Sequence, residues 1–281
     1  MNFKRYSSTL AASAAILFAS VAHAQDVVPF EFPQETNFVG LGLFGVPDYY
    51  GSRDSQGVAA PLARYTFKGQ RYVQLLGPEL KLNLIDSATY RAGPVLRTRA
   101  RRDDDVDDPI VQRMRPIPSA TELGLFGAYH VPLDRHHPLR KFVFSGDIVF
   151  NTNGVYDGAT GNLRVDYVHP FRQTLAGRPV IGNVGLGVFF SSDSFNRKYF
   201  GVSGSDLALY PQLGGREFRP GSTITSVKIP FGLTTHLDKR WLVSLAGRYE
   251  RLLDDPKDSP VVDQRGDASQ WVVGVAVTYL F

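Results

Sequence analysis

Cysteine is missing from the 281-residue chain. Its absence excludes disulfide cross-links, thiolate metal sites and a cysteine nucleophile. After the first 24 residues there is also no apolar run long enough for a membrane-spanning helix. The formal net charge is +4, and it falls to +2 without Lys4 and Arg5, which leaves 29 basic against 27 acidic residues. Composition therefore gives no argument for a nucleic-acid partner.

The first 24 residues have the order of features found in a secretory signal peptide. Lys4 and Arg5 supply positive charge, residues 10–21 are apolar, and Ala22-His23-Ala24 fits the small-residue cleavage motif. We predict that residues 1–24 are a signal peptide that is cleaved before Gln25. Because position 25 is not cysteine, a bacterial lipoprotein anchor is excluded at that site.

The last twelve residues alternate between two sets of side chains. One set is apolar and has an aromatic residue at each end: Trp271, Val273, Val275, Val277, Tyr279 and Phe281. The other set is mostly small or polar: Gln270, Val272, Gly274, Ala276, Thr278 and Leu280. A period of two places these sets on opposite faces of a β-strand. At a tilt of ~40° this strand spans roughly 25 Å of height, which is typical of an outer-membrane barrel between its aromatic girdles.

Similar alternation recurs along the chain and predicts an all-β fold, an antiparallel transmembrane β-barrel of about twelve strands. The predicted strands are residues 37–45, 58–67, 71–76, 79–85, 89–99, 121–132, 141–151, 161–171, 180–190, 223–236, 240–251 and 270–281. Residues 25–36 are then a short periplasmic lead-in, and residues 37–281 form the barrel. We see no second domain.

The connections between these strands support the barrel. With both chain termini in the periplasm, one set of connections is short: 68–70, 86–88, 133–140, 172–179 and 237–239. Most of the others are longer: 46–57, 100–120, 152–160, 191–222 and 252–269. Short periplasmic turns and long external loops are typical of outer-membrane barrels. The exception is Gly77-Pro78, a very short external turn. If that hairpin is misassigned, ten strands is the alternative, because bacterial single-chain barrels have even strand numbers.

Charged residues share the inner face of the predicted strands, since a charge at the lipid midplane costs a few kcal/mol. The predicted lumen charges are Arg91, Arg97, Arg99, Asp147, Arg164, Asp166, Lys228, Arg248 and Glu250. They allow two interpretations, a lumen that attracts anions or a ladder of ion pairs that fills a narrow barrel. We favour the ladder, because buried charges must find partners.

The chain offers little for catalysis or metal binding. The acidic run at 103–108 fails the calcium-loop template, because Asp108 stands where glycine is needed and Met114 where glutamate is needed. We expect a solvated external loop there, with a loose divalent site that bridges lipopolysaccharide as a minor alternative. A hydrolase would need a serine–histidine pair, but the inward histidines, His130 and His236, fall near the periplasmic end, and G-x-S-x-G is absent. We expect neither an enzyme nor a cofactor.

Four segments carry a family resemblance: Pro47–Ser52, Tyr199–Ser203, Asp258–Val262 and the terminal Tyr279-Leu280-Phe281. Together they resemble the MipA/OmpV family of MltA-interacting outer-membrane proteins from Gram-negative bacteria. The chain departs from that family at residues 100–118, an Arg/Asp-rich segment where the family usually has a compact connection. The resemblance implies a scaffold that holds a lytic transglycosylase and a peptidoglycan synthase together at the envelope. It supplies no catalytic residues.

We therefore predict a non-enzymatic scaffold in the Gram-negative outer membrane, with a narrow channel for small anionic solutes or a surface adhesin as alternatives. The expected partners are outer-membrane lipids and lipopolysaccharide, murein hydrolase and synthase proteins, and the insertion machinery, for which Phe281 is the predicted assembly signal. Peptidoglycan enzymes work on the periplasmic side. The predicted partner contacts therefore lie in the periplasmic turns, at Arg135, Arg140, Arg172 and Arg178.

Overall fold

The computed structural model describes residues 36–134, 137–175 and 177–281, and for residues 172–175 it describes the backbone alone. The predicted signal peptide and nearly all of the predicted lead-in lie outside these ranges. The strands are β1 Phe38–Pro47, β2 Ser55–Lys68, β3 Arg71–Leu76, β4 Glu79–Asn83, β5 Tyr90–Arg99, β6 Ala120–Pro132, β7 Lys141–Asn151, β8 Ala159–Leu175, β9 Arg178–Ser191, β10 Thr223–His236, β11 Trp241–Leu252 and β12 Ser269–Leu280.

These strands form a closed barrel in which each strand pairs antiparallel with its sequence neighbours and β12 pairs with β1. The predicted twelve-stranded antiparallel transmembrane barrel is therefore confirmed. The alternative of ten strands is wrong, because β3 and β4 pair from Tyr72↔Asn83 to Leu76↔Glu79. Gly77 makes their two-residue turn possible, since it adopts a positive φ of 55° that other residues rarely tolerate.

The alternation of side chains along β12 matches its two environments. Trp271, Val275 and Val277 are 53%, 50% and 42% exposed, whereas Val272 and Ala276 are each 2% exposed. Aromatic pairs flank the apolar outer band at both ends. Their ring centroids are 4.9 Å apart for Tyr249–Trp271 at one end, and 5.1 Å apart for both Tyr90–Tyr129 and Trp241–Tyr279 at the other. The outer surface therefore has the apolar band and girdles of a membrane-spanning barrel.

One side of the lumen is apolar. The buried side chains there come from β1, β2, β3, β11 and β12: Phe38, Phe44, Val46, Val58, Ala60, Leu62, Leu76, Leu242, Ala246, Val272 and Ala276. The ring of Phe44 lies so close to Gly42 and Gly274 that a Cβ atom at either position would overlap it. Glycine in these strands therefore lets an aromatic side chain fill the narrow interior.

The connections differ between the two ends as the sequence predicts. The end that holds Phe281 has the connections between β2 and β3, β4 and β5, β6 and β7, β8 and β9, and β10 and β11, and we refer to it as the periplasmic end. The external end has 48–54, 77–78, 100–119, 152–158, 192–222 and 253–268. Three α-helices lie in these external loops, α1 Asp193–Phe200, α2 Asp254–Asp258 and α3 Pro260–Asp263. Within the described ranges, no helix is long and apolar enough to cross a membrane.

The external loops pack on one another, and we call residues 48–54, 100–119, 152–158, 192–222 and 253–268 the external cap. Two buried clusters hold it together, one of them formed by Tyr49, Val106, Val111, Met114, Val202, Tyr210 and Val261. The acidic run at 103–108 lies in an external loop, as expected, but it is only partly solvated. Asp104 and Asp105 are exposed, but Val106 and Asp108 are 4% and 7% exposed.

Candidate functional site

The lumen opposite the apolar side carries ion pairs between buried side chains. Arg97 donates from Nε and Nη2 to Oε2 of Glu79, at 3.0 and 2.6 Å, and its Nη2 also lies 3.1 Å from Asp147. Glu79 additionally contacts Lys81 at 2.6 Å. These residues come from β4, β5 and β7, and β4 and β5 place Glu79 directly opposite Arg97. Charge-assisted hydrogen bonds of this kind fix the side chains on the wall.

A second group of charges lies at the external end of the lumen. Arg99 donates to Oε1 of Glu122 at 2.5 Å, and the same oxygen accepts from the hydroxyl of Tyr156 at 2.5 Å. The guanidinium of Arg99 also lies 5.3 and 5.1 Å from the ring centroids of Phe189 and Phe195. Glu122 is 0% exposed. This group therefore links the barrel wall to the external cap.

A third group centres on Glu250, which is 1% exposed. Its carboxylate lies 3.1 Å from Arg248 and 3.8 Å from Lys228, and it accepts at 2.5 Å from the hydroxyls of both Tyr50 and Ser226. Tyr50 belongs to the external cap. The carboxylate of Glu250 therefore takes part both in the ion pairs of the lumen wall and in the contact with the external cap.

The remaining predicted lumen charges also face inward. Arg164 donates to Asp166 at 2.6 Å, along the same strand, and Arg91 donates to the side chain of Gln70 at 2.7 Å. The nine predicted charges lie on the inward face of their strands. Their ion pairs run along one strand or between nearby strands. Five charged residues on the inward face of their strands were absent from the predicted set: Arg64, Glu79, Lys81, Glu122 and Lys141. In the sequence, these residues alternate with the outward-facing residues of their strands, and this alternation could have identified them.

The external cap joins three segments that are distant in sequence. Tyr50 packs on Phe200 of α1 with ring centroids 5.2 Å apart. Ser259 donates through its hydroxyl to the carbonyl of Phe200 at 2.6 Å. A Cβ atom at Gly51, where φ is +97°, would lie 2.6 Å from Val262. The first three segments that carry the family resemblance therefore meet in one buried cluster above the lumen.

Charged and phenolic groups of the cap are also buried. Burial raises the pKa of Tyr210 to about 12, and burial lowers the pKa of the Arg102 guanidinium, which donates to the carbonyl of Tyr199 at 3.4 Å. Burial acts to raise the pKa of Asp108, but Arg265 at 2.7 Å and two backbone N–H groups outweigh it and lower that pKa. These contacts tie the Arg/Asp-rich segment to the loop before β12.

The periplasmic rim presents exposed basic side chains. Arg140 donates to the hydroxyl of Tyr167 at 3.2 Å, and Arg178 donates to the carbonyl of His236 at 3.1 Å. Arg135 and the side chain of Arg172 lie outside the described part of the chain. The structure adds Arg240 to this rim, next to Lys239, where it donates to the hydroxyl of Tyr279 at 2.9 Å. Arg240 could have been predicted at this rim, because it lies in the short periplasmic turn directly before β11.

Phe281 lies at the same end. Its backbone N–H donates to the carbonyl of Asn37 at 3.1 Å, and its side chain is 64% exposed. The C-terminus is therefore held beside the start of β1 with an accessible aromatic ring.

Two of the described histidines have polar side-chain neighbours near the periplasmic end. His130 Nδ1 lies 3.3 Å from Lys141 Nζ, and His169 Nδ1 lies 2.9 Å from the hydroxyl of Tyr167. Across residues 36–134, 137–175 and 177–281, no group of three or more His, Cys, Asp or Glu residues is arranged to hold a metal ion.

Comparisons with known proteins agree on one family. The family model described as MltA-interacting protein MipA matches residues 39–281. The outer membrane protein Omp26La of Vibrio anguillarum is 28% identical over 95 residues, which cover 34% of this chain and 34% of that protein. The MltA-interacting protein of Escherichia coli strain K12 is 28% identical over 169 residues, which cover 60% of this chain and 61% of that protein. The aligned part thus spans less than two thirds of either relative. Among solved structures, an outer membrane channel from Pseudomonas putida F1 aligns over 92% of this chain and 98% of its own, at 9% identity and a TM-score of 0.42.

Proposed function

Because the chain belongs to the MltA-interacting protein MipA family, we propose that it is a non-enzymatic outer-membrane scaffold that binds a peptidoglycan-remodelling enzyme at its periplasmic rim. The matched family model over residues 39–281 is the observation that carries this proposal. The name of the Escherichia coli relative gives MltA as that protein's partner. In line with the family resemblance, the partner class we propose is a lytic transglycosylase, with a murein synthase as a second component. The lipids and lipopolysaccharide of the outer membrane surround the barrel.

The basic periplasmic rim supports this function. Arg140, Arg178 and Arg240 are exposed there, and Asp238 is occupied by the backbone N–H groups of Arg240 and Trp241, which lower its pKa. Exposed guanidinium groups suit an acidic protein surface, and contacts of this kind steer association and weaken with salt. The rim therefore offers an electrostatic contact on the side where murein enzymes act.

The test is binding of a purified lytic transglycosylase to the refolded barrel. Replacement of Arg135, Arg140, Arg172 and Arg178 by Gln should reduce affinity strongly at low salt and remove most of the salt dependence. The matched control carries the same change of charge at four exposed arginines of the other end, namely Arg53, Arg113, Arg216 and Arg251. Unchanged binding by the rim variant, with the barrel still folded, would contradict the proposal and favour an adhesive role for the external cap.

A channel for small anions is the alternative function, and the packing of the lumen weighs against it. Arg97, Arg99, Arg248 and Lys228 are each at most 8% exposed, and the cap lies above them. A closed barrel should give no stepwise conductance in planar bilayers, whereas an open basic lumen should give anion-selective steps. Regular anion-selective steps from the full-length mature chain would favour the channel.

Recognition by the outer-membrane insertion machinery through Phe281 is part of the same proposal. The exposed ring at the end of β12 supports it. Deletion of Phe281 should lower the yield of folded barrel in cells far more than Phe281→Tyr, while both variants should refold alike from denaturant into detergent. Equal yields of the two variants in cells would count against the terminal signal.

A further inference from the structure

A chamber of about 90 Å³ lies in the lumen beneath the external cap. By the same measure, about 10–15 Å³ is enough for one water molecule. The chamber is therefore large enough for a small polyatomic ion. Its wall comes from strands β4 to β11, on the side opposite the apolar packing around Phe44.

The chamber is lined by more positive than negative groups. The cations are Lys81, Arg97, Arg164, Lys228 and Arg248, and the carboxylates are Glu79 and Asp147. Asp166 and Glu250 lie behind this lining and pair with Arg164 and Arg248. When both are included, the group still has one more cation than carboxylates. Burying net charge is costly, so a bound anion would stabilise this arrangement.

Two of the cations keep surface available within the lumen. The side chains of Lys81 and Arg164 are 26% and 30% exposed, whereas those of Arg97 and Arg248 are 4% and 5% exposed. Arg164 contacts Asp166 through Nε, which uses one of the five N–H groups of a guanidinium. Lys81 and Arg164 are therefore suited to donate to a guest.

The other lining cations are held in place by the wall. Lys228 lies 4.4 Å from the ring centroid of Phe189 and donates to the side chain of Asn162 at 3.2 Å. Arg97 is fixed by Glu79 and Asp147. A preorganised set of donors binds an anion without the cost of ordering flexible side chains.

We propose that this chamber is a binding site for a small inorganic oxyanion, phosphate or sulfate in class. The ion would be free in solution and not part of a lipid headgroup, because the chamber lies inside the barrel wall. The site is separate from the periplasmic rim, so it stands whether or not the rim binds a murein enzyme.

The test uses mature barrel refolded into a phosphate-free nonionic detergent, which removes lipid. Phosphate is titrated at constant ionic strength, with a bulky organic sulfonate as the balancing anion. Binding is followed by broadening of the phosphorus NMR signal and by the melting temperature. We expect saturable broadening and a saturable rise of a few degrees in melting temperature, since a ligand that binds the folded state stabilises it.

The variants locate the site. Lys81→Gln and Arg164→Gln should each weaken phosphate binding by roughly tenfold or more, the loss expected for one charge-assisted hydrogen bond. Arg251→Gln is the matched control, because Arg251 is an exposed cation on the outer face of β11 and should leave binding unchanged. Unsaturable broadening, an equal thermal response to the sulfonate alone, or full binding by both chamber variants would each overturn the proposal. In a separate arm, phospholipid is added to the same detergent without phosphate, and a response confined to that arm would also overturn it.

Discussion

The external and periplasmic ends of this barrel are built in different ways. At the external end, Glu122 and Glu250 are buried, and each accepts a hydrogen bond from a tyrosine of the cap. At the periplasmic end, Arg140 and Arg178 are exposed and contact a tyrosine hydroxyl and a backbone carbonyl. The external end therefore holds much of the buried polar structure, while the periplasmic end keeps charged side chains available for a partner.

This difference predicts where substitutions change stability and where they change binding. Buried ion pairs lose several kcal/mol when one partner is removed, because the other charge stays buried. Exposed pairs contribute little. Stability effects should therefore concentrate at the external end, and binding effects at the periplasmic end.

The largest expected effect is at Glu122. Glu122→Ala leaves the buried Arg99 without its carboxylate and removes the acceptor of Tyr156, so we expect a loss of about 3–5 kcal/mol in the free energy of unfolding. Arg178→Ala at the periplasmic end should change it by less than about 0.5 kcal/mol. Urea unfolding in detergent measures both. Similar losses of unfolding free energy in the two variants would contradict the difference between the two ends.

A smaller effect is expected at Gly51. Gly51→Ala forces an alanine into φ +97° and brings its Cβ to 2.6 Å from Val262, so it should cost about 1–3 kcal/mol and expose the cap to protease. Gly154→Ala is the matched control, because Gly154 also has a positive φ, of 72°, but has nothing within 4 Å of the added Cβ. The difference between these variants isolates packing in the cap from backbone strain. Equal proteolysis rates would mean that the cap is not held at Gly51.

The smallest effect concerns pH. Because Arg265 and the backbone N–H groups lower the folded-state pKa of Asp108 below its ordinary value of 3.8, the contact stabilises the cap above that value. This stability is lost as pH falls through the folded-state pKa. Burial raises the pKa of Asp48 in the same region, which has the opposite sign. The test therefore measures hydrogen exchange of the cap at each pH in wild type and in Asp108→Asn. The difference in protection between the two proteins reports the Asp108 contact, because the contribution of Asp48 is common to both. A difference that does not shrink on acidification would contradict the role of this pair.

The strands could be predicted from the sequence because the period of two reports the environment of each residue directly. β12 shows this, since Val275 and Ala276 have opposite exposures that their neighbours repeat. The inward position of Arg97 followed from the same parity. Its partner Glu79 was not identified. β3 and β4 are short, so the alternation of apolar and polar residues along them is too brief to assign their inward faces from the sequence.

The external cap could not be predicted in this way, because its loops have no shared period. Local signals existed for its helices: the side chain of Ser192 caps α1, and Ser259 precedes Pro260 at the start of α3. The contacts that assemble the cap, such as Arg265 with Asp108, join segments far apart in the chain. Such contacts depend on the positions in which the barrel holds the loops, and these positions cannot be predicted from a local sequence pattern.

Position-specific photo-crosslinking in intact cells tests the account most directly. A photoreactive residue replaces Arg178 at the periplasmic rim in one strain and Arg216, an exposed arginine of the external cap, in another. A scaffold that works through its periplasmic rim predicts a crosslink to a murein enzyme from position 178 and none from position 216. Crosslinks to a protein from position 216 alone, with the barrel correctly inserted, would contradict it.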